Sequence, residues 1–358
     1  MASCLKSHKI YQYDTMTQIK RTAYITLLVI LAAFGTESKA SDTTPSYSFL
    51  NIPASAQVYG LGGINVSNIS DDINSIDQNP ALMGPEFEKQ LGISYMRYVA
   101  GSNFAGVTYG NGINDRSAWG VAARYFGYGS MKETDAAGNV TGNFSSLDFL
   151  MSGTYSHDIN DRWRGGITLK MIYSGYADYT AFAVATDLGV NYYDADRDLS
   201  FSVVVANLGG QVKRFTDNYE RLPIDIRVGW SQSFGTVPIR FSINAWNLTK
   251  WHLPYYETGD GSTDQQPELK DGFMSNLFRH LIFSANYVPS EKFFVSLAYN
   301  YKTRTDMSTY SRSILSGFSL GAGIRVKAFG VGLGFAQPHK GATTFMVNFT
   351  TNFNDLIN

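Results

Sequence analysis

Apolar and small or polar residues alternate in segment after segment of this chain, most clearly in its second half. From Ala181 to Tyr192, one face reads Phe182, Val184, Thr186, Leu188, Val190 and Tyr192. The other reads Ala181, Ala183, Ala185, Asp187, Gly189 and Asn191. From Phe293 to Lys302, Phe293, Val295, Leu297, Tyr299 and Tyr301 share a face, opposite Ser296, Ala298, Asn300 and Lys302. Period-two alternation places one residue set on each face of a β-strand. The segments run about ten residues and tend to end in Tyr, Trp or Phe, the pattern of a transmembrane β-barrel with a lipid-facing exterior and a polar lumen.

Read this way, the chain predicts an all-β, fourteen-stranded antiparallel transmembrane barrel with an N-terminal plug. Strands are expected near 91–100, 103–111, 117–126, 144–156, 162–176, 179–193, 197–208, 224–235, 238–249, 279–288, 293–302, 313–327, 329–337 and 342–353. The even-to-odd connections are all short. The long ones, 127–143, 209–223, 250–278 and 303–312, share one parity and so one side of the membrane. Short periplasmic turns and long extracellular loops are the rule for such barrels.

The N-terminus fits an envelope protein. Lys20 and Arg21 precede an apolar run from Ala23 to Phe34, and Ser38-Lys39-Ala40 supplies a small-residue cleavage site. This is the form of a secretory signal peptide, over 1–40. The run is too short for a spanning helix, which needs about 20 apolar residues. The residues before Met16 add nothing to that signal, so Met16 serves as well as Met1 for a start. Cys4 is the only cysteine. It lies in the removed stretch, so no disulfide is expected.

Residues 41–90 do not alternate, and they are expected to form the plug, with the barrel over 91–358. They carry Pro53, a Gly-rich run with Gly60, Gly62 and Gly63, the acids Asp71 and Asp72, and Asn79-Pro80. Irregular backbone is tolerated inside a barrel, where protein or water satisfies its polar groups. The acids Asp42, Asp71, Asp72, Asp77, Glu86 and Glu88 stand against Lys89 alone. Alternation turns the bases Arg124, Arg164, Lys170, Arg227, Arg240, Lys302, Arg325 and Lys327 inward, against the acids Asp148, Asp187, Asp198 and Asp225. An acidic plug would therefore sit in a basic lumen, where opposite charges attract strongly.

Composition agrees. Aromatics are 14% of the chain, enough for two interfacial girdles, and the 34 glycines suit inner faces that must leave room. A net charge of −1 gives no electrostatic case for nucleic acid as a partner.

The run Phe49-Leu-Asn-Ile-Pro-Ala-Ser-Ala56, then Gly60-Leu-Gly-Gly-Ile-Asn-Val66, Asp71-Asp72 and Asn79-Pro-Ala-Leu82, resembles the opening of the PorQ/PorV family. Those are outer-membrane barrels of the Bacteroidetes type IX secretion system, distantly related to the fourteen-stranded FadL-type channels. The resemblance is strongest over 49–82 and continues to Phe353; chain length and the Phe49–Pro53 opening favour the PorQ branch. It implies a non-catalytic outer-membrane component that anchors or displays surface proteins for cargo attachment. PorV-, PorU- and PorZ-like proteins and outer-membrane lipid would be its partners. The alternatives are a FadL-like transporter of hydrophobic compounds and a general porin. The inner faces read mostly as Gly, Ser, Asn and charge, which weighs against a transporter's apolar pocket. A plug weighs against a porin. Phe353 is followed by five residues, a departure from barrels that end on an aromatic.

Catalysis and metal binding find little support, and no cofactor is expected. Gly317-Phe-Ser-Leu-Gly321 matches a nucleophile-elbow pattern, but that motif needs a strand-to-helix turn and later acid and His partners. Here the segment continues as a strand. His157, His252, His280 and His339 lack metal-ligand spacing and read as loop or interface residues. Asp71 to Asp77 lacks the Gly and Glu of a calcium loop. For partner binding, Trp251, Tyr255 and Tyr256 in loop 250–278 are candidate anchors, because interface energy concentrates in such residues.

Overall fold

The alternation becomes the two faces of one closed sheet. The computed structural model describes residues 46–234, 237–257, 268–290, 292–306, 314–339 and 342–357. The barrel strands are β1 Gln90–Arg97, β2 Asn103–Asn114, β3 Ser117–Thr134, β4 Val140–Asp158, β5 Trp163–Tyr176, β6 Tyr179–Asp194 and β7 Leu199–Lys213. They continue with β8 Asp225–Ser233, β9 Ile239–Ala245, β12 Leu281–Ser290, β13 Phe293–Asn300, β14 Phe318–Val326, β15 Phe329–His339 and β16 Ala342–Asn352. Each pairs with its chain neighbours, β9 with β12, and β1 with β16, which closes the barrel. Every expected strand is present. A separate hairpin, β10 Tyr255–Glu257 with β11 Glu268–Lys270, lies within the excursion between β9 and β12.

The outer face is apolar. In β6, Val184, Leu188 and Val190 are exposed, while Ala183, Ala185, Asp187, Gly189 and Asn191 are buried. Large apolar side chains are stable there only against lipid, since a water-exposed patch of this extent is not tolerated in soluble monomers. Aromatic residues band both edges. Tyr125 lies opposite Phe149, and Phe149 opposite Tyr173, towards one end. Trp163 with Tyr192 (centroids 5.1 Å apart) and Tyr109 with Trp119 (5.9 Å) lie towards the other. Aromatic rings favour the interface, being apolar in body with a polar edge.

The connections at that second end, such as Asp158 to Trp163 and Val326 to Phe329, are short, and the chain enters β1 and leaves β16 there. The opposite end carries the long excursions. Two expectations are corrected at this end. The segment 127–143 is not an open loop: β3 and β4 run on, Met131 opposite Phe144, to a tip at Asp135–Asn139. Both faces of this extension are exposed, so no apolar alternation marked it. Strand β13 stops at Asn300, and Tyr301–Asp306 turns into a short helix. The signal-peptide stretch lies outside the described residues.

Parity predicts orientation. A cysteine replacing Ala137, at the β3–β4 tip, should react in intact cells with a membrane-impermeant maleimide. One replacing Asp161, in the β4–β5 turn, should react only after the outer membrane is opened. The reverse pattern would invert the barrel.

Candidate functional site

Residues 46–89 lie inside the barrel. Ser55 caps the short helix α1 (Ala56–Gly60) by accepting from the Val58 amide at 3.2 Å. This helix packs on β14 and β15, and glycine makes the approach feasible. A Cβ on Gly60 would sit 2.5 Å from the Gly321 Cα. Gly60 and Gly62 turn their carbonyls to the wall, accepting from Ser319 Oγ (3.1 Å) and Asn300 Nδ2 (3.3 Å). Gly62 and Gly63 have φ of 100° and 89°, where an L side chain is disfavoured. Asn348, inward on β16, binds the backbone on both sides of Ser55: its Nδ2 donates to the Ala54 carbonyl (2.8 Å), and its Oδ1 accepts from the Ala56 amide. Further on, Asn79 Oδ1 accepts from the Ala81 amide at 2.9 Å and opens a 3-10 turn at Pro80–Leu82. Pro80 lies on Gly166 and Gly189 of the wall, where any Cβ would collide with this turn.

The expected charge pairing is present, though more selective than alternation implied. Asp71 pairs with Arg325 (3.0 Å), Asp77 with Arg124 (3.2 Å) and Glu86 with Arg164 (2.8 Å). Arg240 donates to the Ile69 carbonyl at 2.7 Å, and Arg227 to Asn51 Oδ1 at 2.7 Å. Asp72 instead accepts from Ser55 Oγ (2.6 Å) and caps the turn Ile73–Asp77. Lys170 is satisfied within the wall by Asp187 (2.6 Å) and Asn207. Two assignments are corrected. Lys302 sits on the helix after β13 and pairs with Asp306, and Lys327 occupies the exposed β14–β15 turn with φ 52°. In neither place does strand alternation apply.

The pairs differ in weight. Asp71 and Arg325 are 56% and 31% exposed, so solvent screens them. Asp77 and Arg124 are 2% and 10% exposed. Burial raises the Asp77 carboxyl above its ordinary value, and the Arg124 guanidinium opposes that shift.

Towards the long-loop end the lumen is more apolar than the expected Gly, Ser, Asn and charged lining, although the expected inward acid Asp148 is there, accepting from the Tyr128 (2.6 Å) and Tyr176 (3.0 Å) hydroxyls. Phe49, Leu50 and Ile52 pack with the inward Met96, Phe104, Phe126, Leu150, Ile172 and Met346. Rings then touch in sequence across the mouth. Tyr47 meets Phe215 (6.2 Å), Phe215 meets Tyr176 (5.0 Å) and Tyr176 meets Tyr128 (5.7 Å). Tyr128 meets Phe126 (4.8 Å), and Phe126 meets Tyr98 (5.9 Å). Tyr98 borders a cavity of about 210 Å³, lined also by Ile52, Pro53, Tyr59, Trp246 and Phe318. These inward apolar positions continue the wall's alternation. Only the apolar residues 47–56 packed against them distinguish them from a polar lumen.

The candidate loop residues separate. Tyr256 is exposed. Trp251 stacks on the buried His280 (5.0 Å), which also meets the Trp251 carbonyl at 3.0 Å. Tyr255 is half-buried under Arg279 (4.9 Å), with its hydroxyl 2.8 Å from that of Tyr301. Burial and that contact push its pKa up. Trp251 and Tyr255 therefore hold the excursion together. Helix α2 (Phe273–His280) is tied in by Asn276, which accepts from the Leu253 amide (2.7 Å) and donates to Asp271 (2.9 Å). That bond, with His252 beside it, lowers the Asp271 pKa. His280 is thus a core residue, not the loop or interface residue expected. His157 meets Ser117 at 2.9 Å, His252 is exposed, and the His339 side chain lies outside the described set. Ser319 is the second residue of β14, where a turn leads into a strand rather than a strand into a helix. Asp71, Asp72 and Asp77 turn to different partners, and no metal-holding cluster occurs among the described residues.

No family model matches the sequence, and no curated protein matches it. Solved structures do match. The Ralstonia pickettii toluene transporter TbuX aligns at 12% identity over 85% of this chain and 100% of its own, with a TM-score of 0.53. The Pseudomonas putida toluene transporter TodX aligns at 10% identity over 83% of this chain and 97% of its own, with a TM-score of 0.52. A Pseudomonas aeruginosa FadL homologue aligns at 12% identity, with a TM-score of 0.45. At such identities the likeness of the two toluene transporters shows the fold alone, that of a closed antiparallel β-barrel.

The buried pair makes a quantitative test. Arg124→Met leaves Asp77 buried without a countercharge, at a cost of about 3–5 kcal/mol. Arg325→Met should cost less than about 1 kcal/mol. Denaturant titration in detergent micelles measures both, and adding Asp77→Leu to Arg124→Met should recover much of the loss.

Proposed function

We propose that this protein is an outer-membrane channel for small hydrophobic compounds, with residues 46–89 as a hatch inside the barrel. The carrying observation is the aromatic mouth that ends in the cavity of about 210 Å³. An apolar solute leaves water for such a surface at a gain of about 25 cal/mol per Å² of apolar area. A packed, charge-paired interior suits selective passage better than an open aqueous pore. The fold it shares with the two toluene transporters supports the same reading. No step in it calls for catalysis.

Expressed in a host with few porins, the protein should raise uptake of a small apolar tracer such as radiolabelled toluene. Ala336→Trp, which fills the cavity beside Tyr59, should cut that uptake severalfold and leave a polar sugar tracer unchanged. The intact protein should show little steady conductance in planar bilayers, and deleting 46–89 should raise it. A large stable conductance in the intact protein would favour the porin reading.

One observation favours a second reading, that the long-loop end docks a partner protein of a type IX secretion apparatus. Tyr256, Leu269, Phe273 and Met274 are all exposed on the excursion between β9 and β12. Grouped apolar side chains of this kind mark interaction surfaces. The variant Tyr256→Asp with Met274→Asp, which leaves the Trp251–Phe273 and Tyr255–Tyr301 ring contacts in place, should then release a co-purifying surface protein. A parent protein that purifies alone in mild detergent would end this reading.

A further inference from the structure

A second cavity, of about 220 Å³, lies at the short-turn end between residues 69–72 and the wall of β12 to β16. Asn286, inward on β12, lines it and is 1% exposed. Among the described residues, neither its Oδ1 nor its Nδ2 has a hydrogen-bond partner. Leaving a buried amide unpaired is costly, so such a group calls for an explanation. The same inner face carries Ser242, Ser284 and Ser296, whose hydroxyls are also unpaired.

The other walls are of a different character. The Phe294 ring turns inward over the bare backbone of β14 and β15. A Cβ on Gly323 would collide with that ring, and one on Gly332 would reach it at 3.8 Å. Ring and glycine backbone form a flat apolar surface beside the amide. A dry cavity of about 150 Å³ accommodates benzene, so this one has room for a single ring with a substituent.

Charge narrows the substituent. Arg240 and Arg325 border the cavity, but both are engaged, Arg240 by Asp198 (2.7 Å) and Arg325 by Asp71 (3.0 Å). With Asp71 engaged by Arg325, Lys292 and Asp72 remain on the lining, one charge of each sign, so neither an anion nor a cation is favoured. A neutral hydroxyl has one donor and one acceptor, which complement the amide's oxygen and nitrogen.

We propose that this cavity binds a single-ring aromatic compound bearing a neutral hydroxyl, with its ring on Phe294 and its hydroxyl on the Asn286 amide. The site deepens the channel reading and rests on it for its biological role: a solute taken up at the mouth would meet a polar checkpoint before leaving at the short-turn end. Hydrocarbons without a polar group would pass it without being held.

The test uses the purified full chain in detergent, with fluorine NMR of 4-fluorophenol, fluorobenzene and 4-fluorobenzoate. 4-Fluorophenol should bind saturably and most tightly of the three. Asn286→Leu should weaken it roughly tenfold, the loss expected for a partner of a buried polar group, and leave fluorobenzene unchanged. Phe294→Ala, a second variant should the first not fold, should weaken both ring compounds. Equal binding of phenol and fluorobenzene, preference for the benzoate, or indifference to these variants would overturn the proposal. Absence of saturable binding would also overturn it, and would mean that the amide is met by ordered water only. These measurements involve no transport. Ala336→Trp should keep the 4-fluorophenol site, so failure of the channel reading would appear in uptake and failure of this site in binding.

Discussion

The contact between residues 46–89 and the inner wall governs the rest of this molecule. A barrel of fourteen strands encloses more space than its own inward side chains fill, and here the chain fills it with its own N-terminal part. Of the ion pairs that join this segment to the wall, Asp77–Arg124 is the most buried, both groups nearly removed from solvent. The pairs at the short-turn end, Asp71–Arg325 and Glu86–Arg164, are partly in water and contribute mainly register. Between them the fit depends on missing side chains. Gly60 against Gly321, and Pro80 against Gly166 and Gly189, let backbone approach backbone.

That filling divides the interior into two regions. Towards the long-loop end, Phe49, Leu50 and Ile52 meet inward apolar side chains beside a ring-lined mouth, where Tyr128 and Tyr176 donate to the buried Asp148. Towards the short-turn end, Ser, Asn and Arg face the acidic stretch around Asp71 and Asp72. One barrel thus presents an apolar entrance and a polar floor. A solute crossing it would be selected first for partitioning and then for hydrogen bonding. An open porin offers no such sequence of environments.

The excursion between β9 and β12 is organised by burial rather than by exposure. Trp251 on His280, and Arg279 over Tyr255, fix the base of the segment. Tyr256, Leu269 and Phe273 are among its side chains that meet solvent. Aromatic content alone therefore did not separate the residues that build this substructure from those left on its surface.

Strand number, strand faces, the parity of the long loops and the acidic character of the luminal segment were all legible in the sequence. Each follows from a local rule: period two for strands, and net charge for the segment. The β3–β4 extension was not legible, because a hairpin exposed on both faces has no apolar side to alternate. Nor was the apolar mouth. Met96, Phe126 and Ile172 sit at ordinary inward positions, and their environment depends on residues 49–52, far away in the chain. The individual ion pairs depended on tertiary structure for the same reason. Alternation tells which way Arg124 and Lys170 point. Only the folded segment decides that Arg124 meets Asp77 while Lys170 meets Asp187 of its own wall, because partner choice is set by distance in space, which a one-dimensional pattern does not contain.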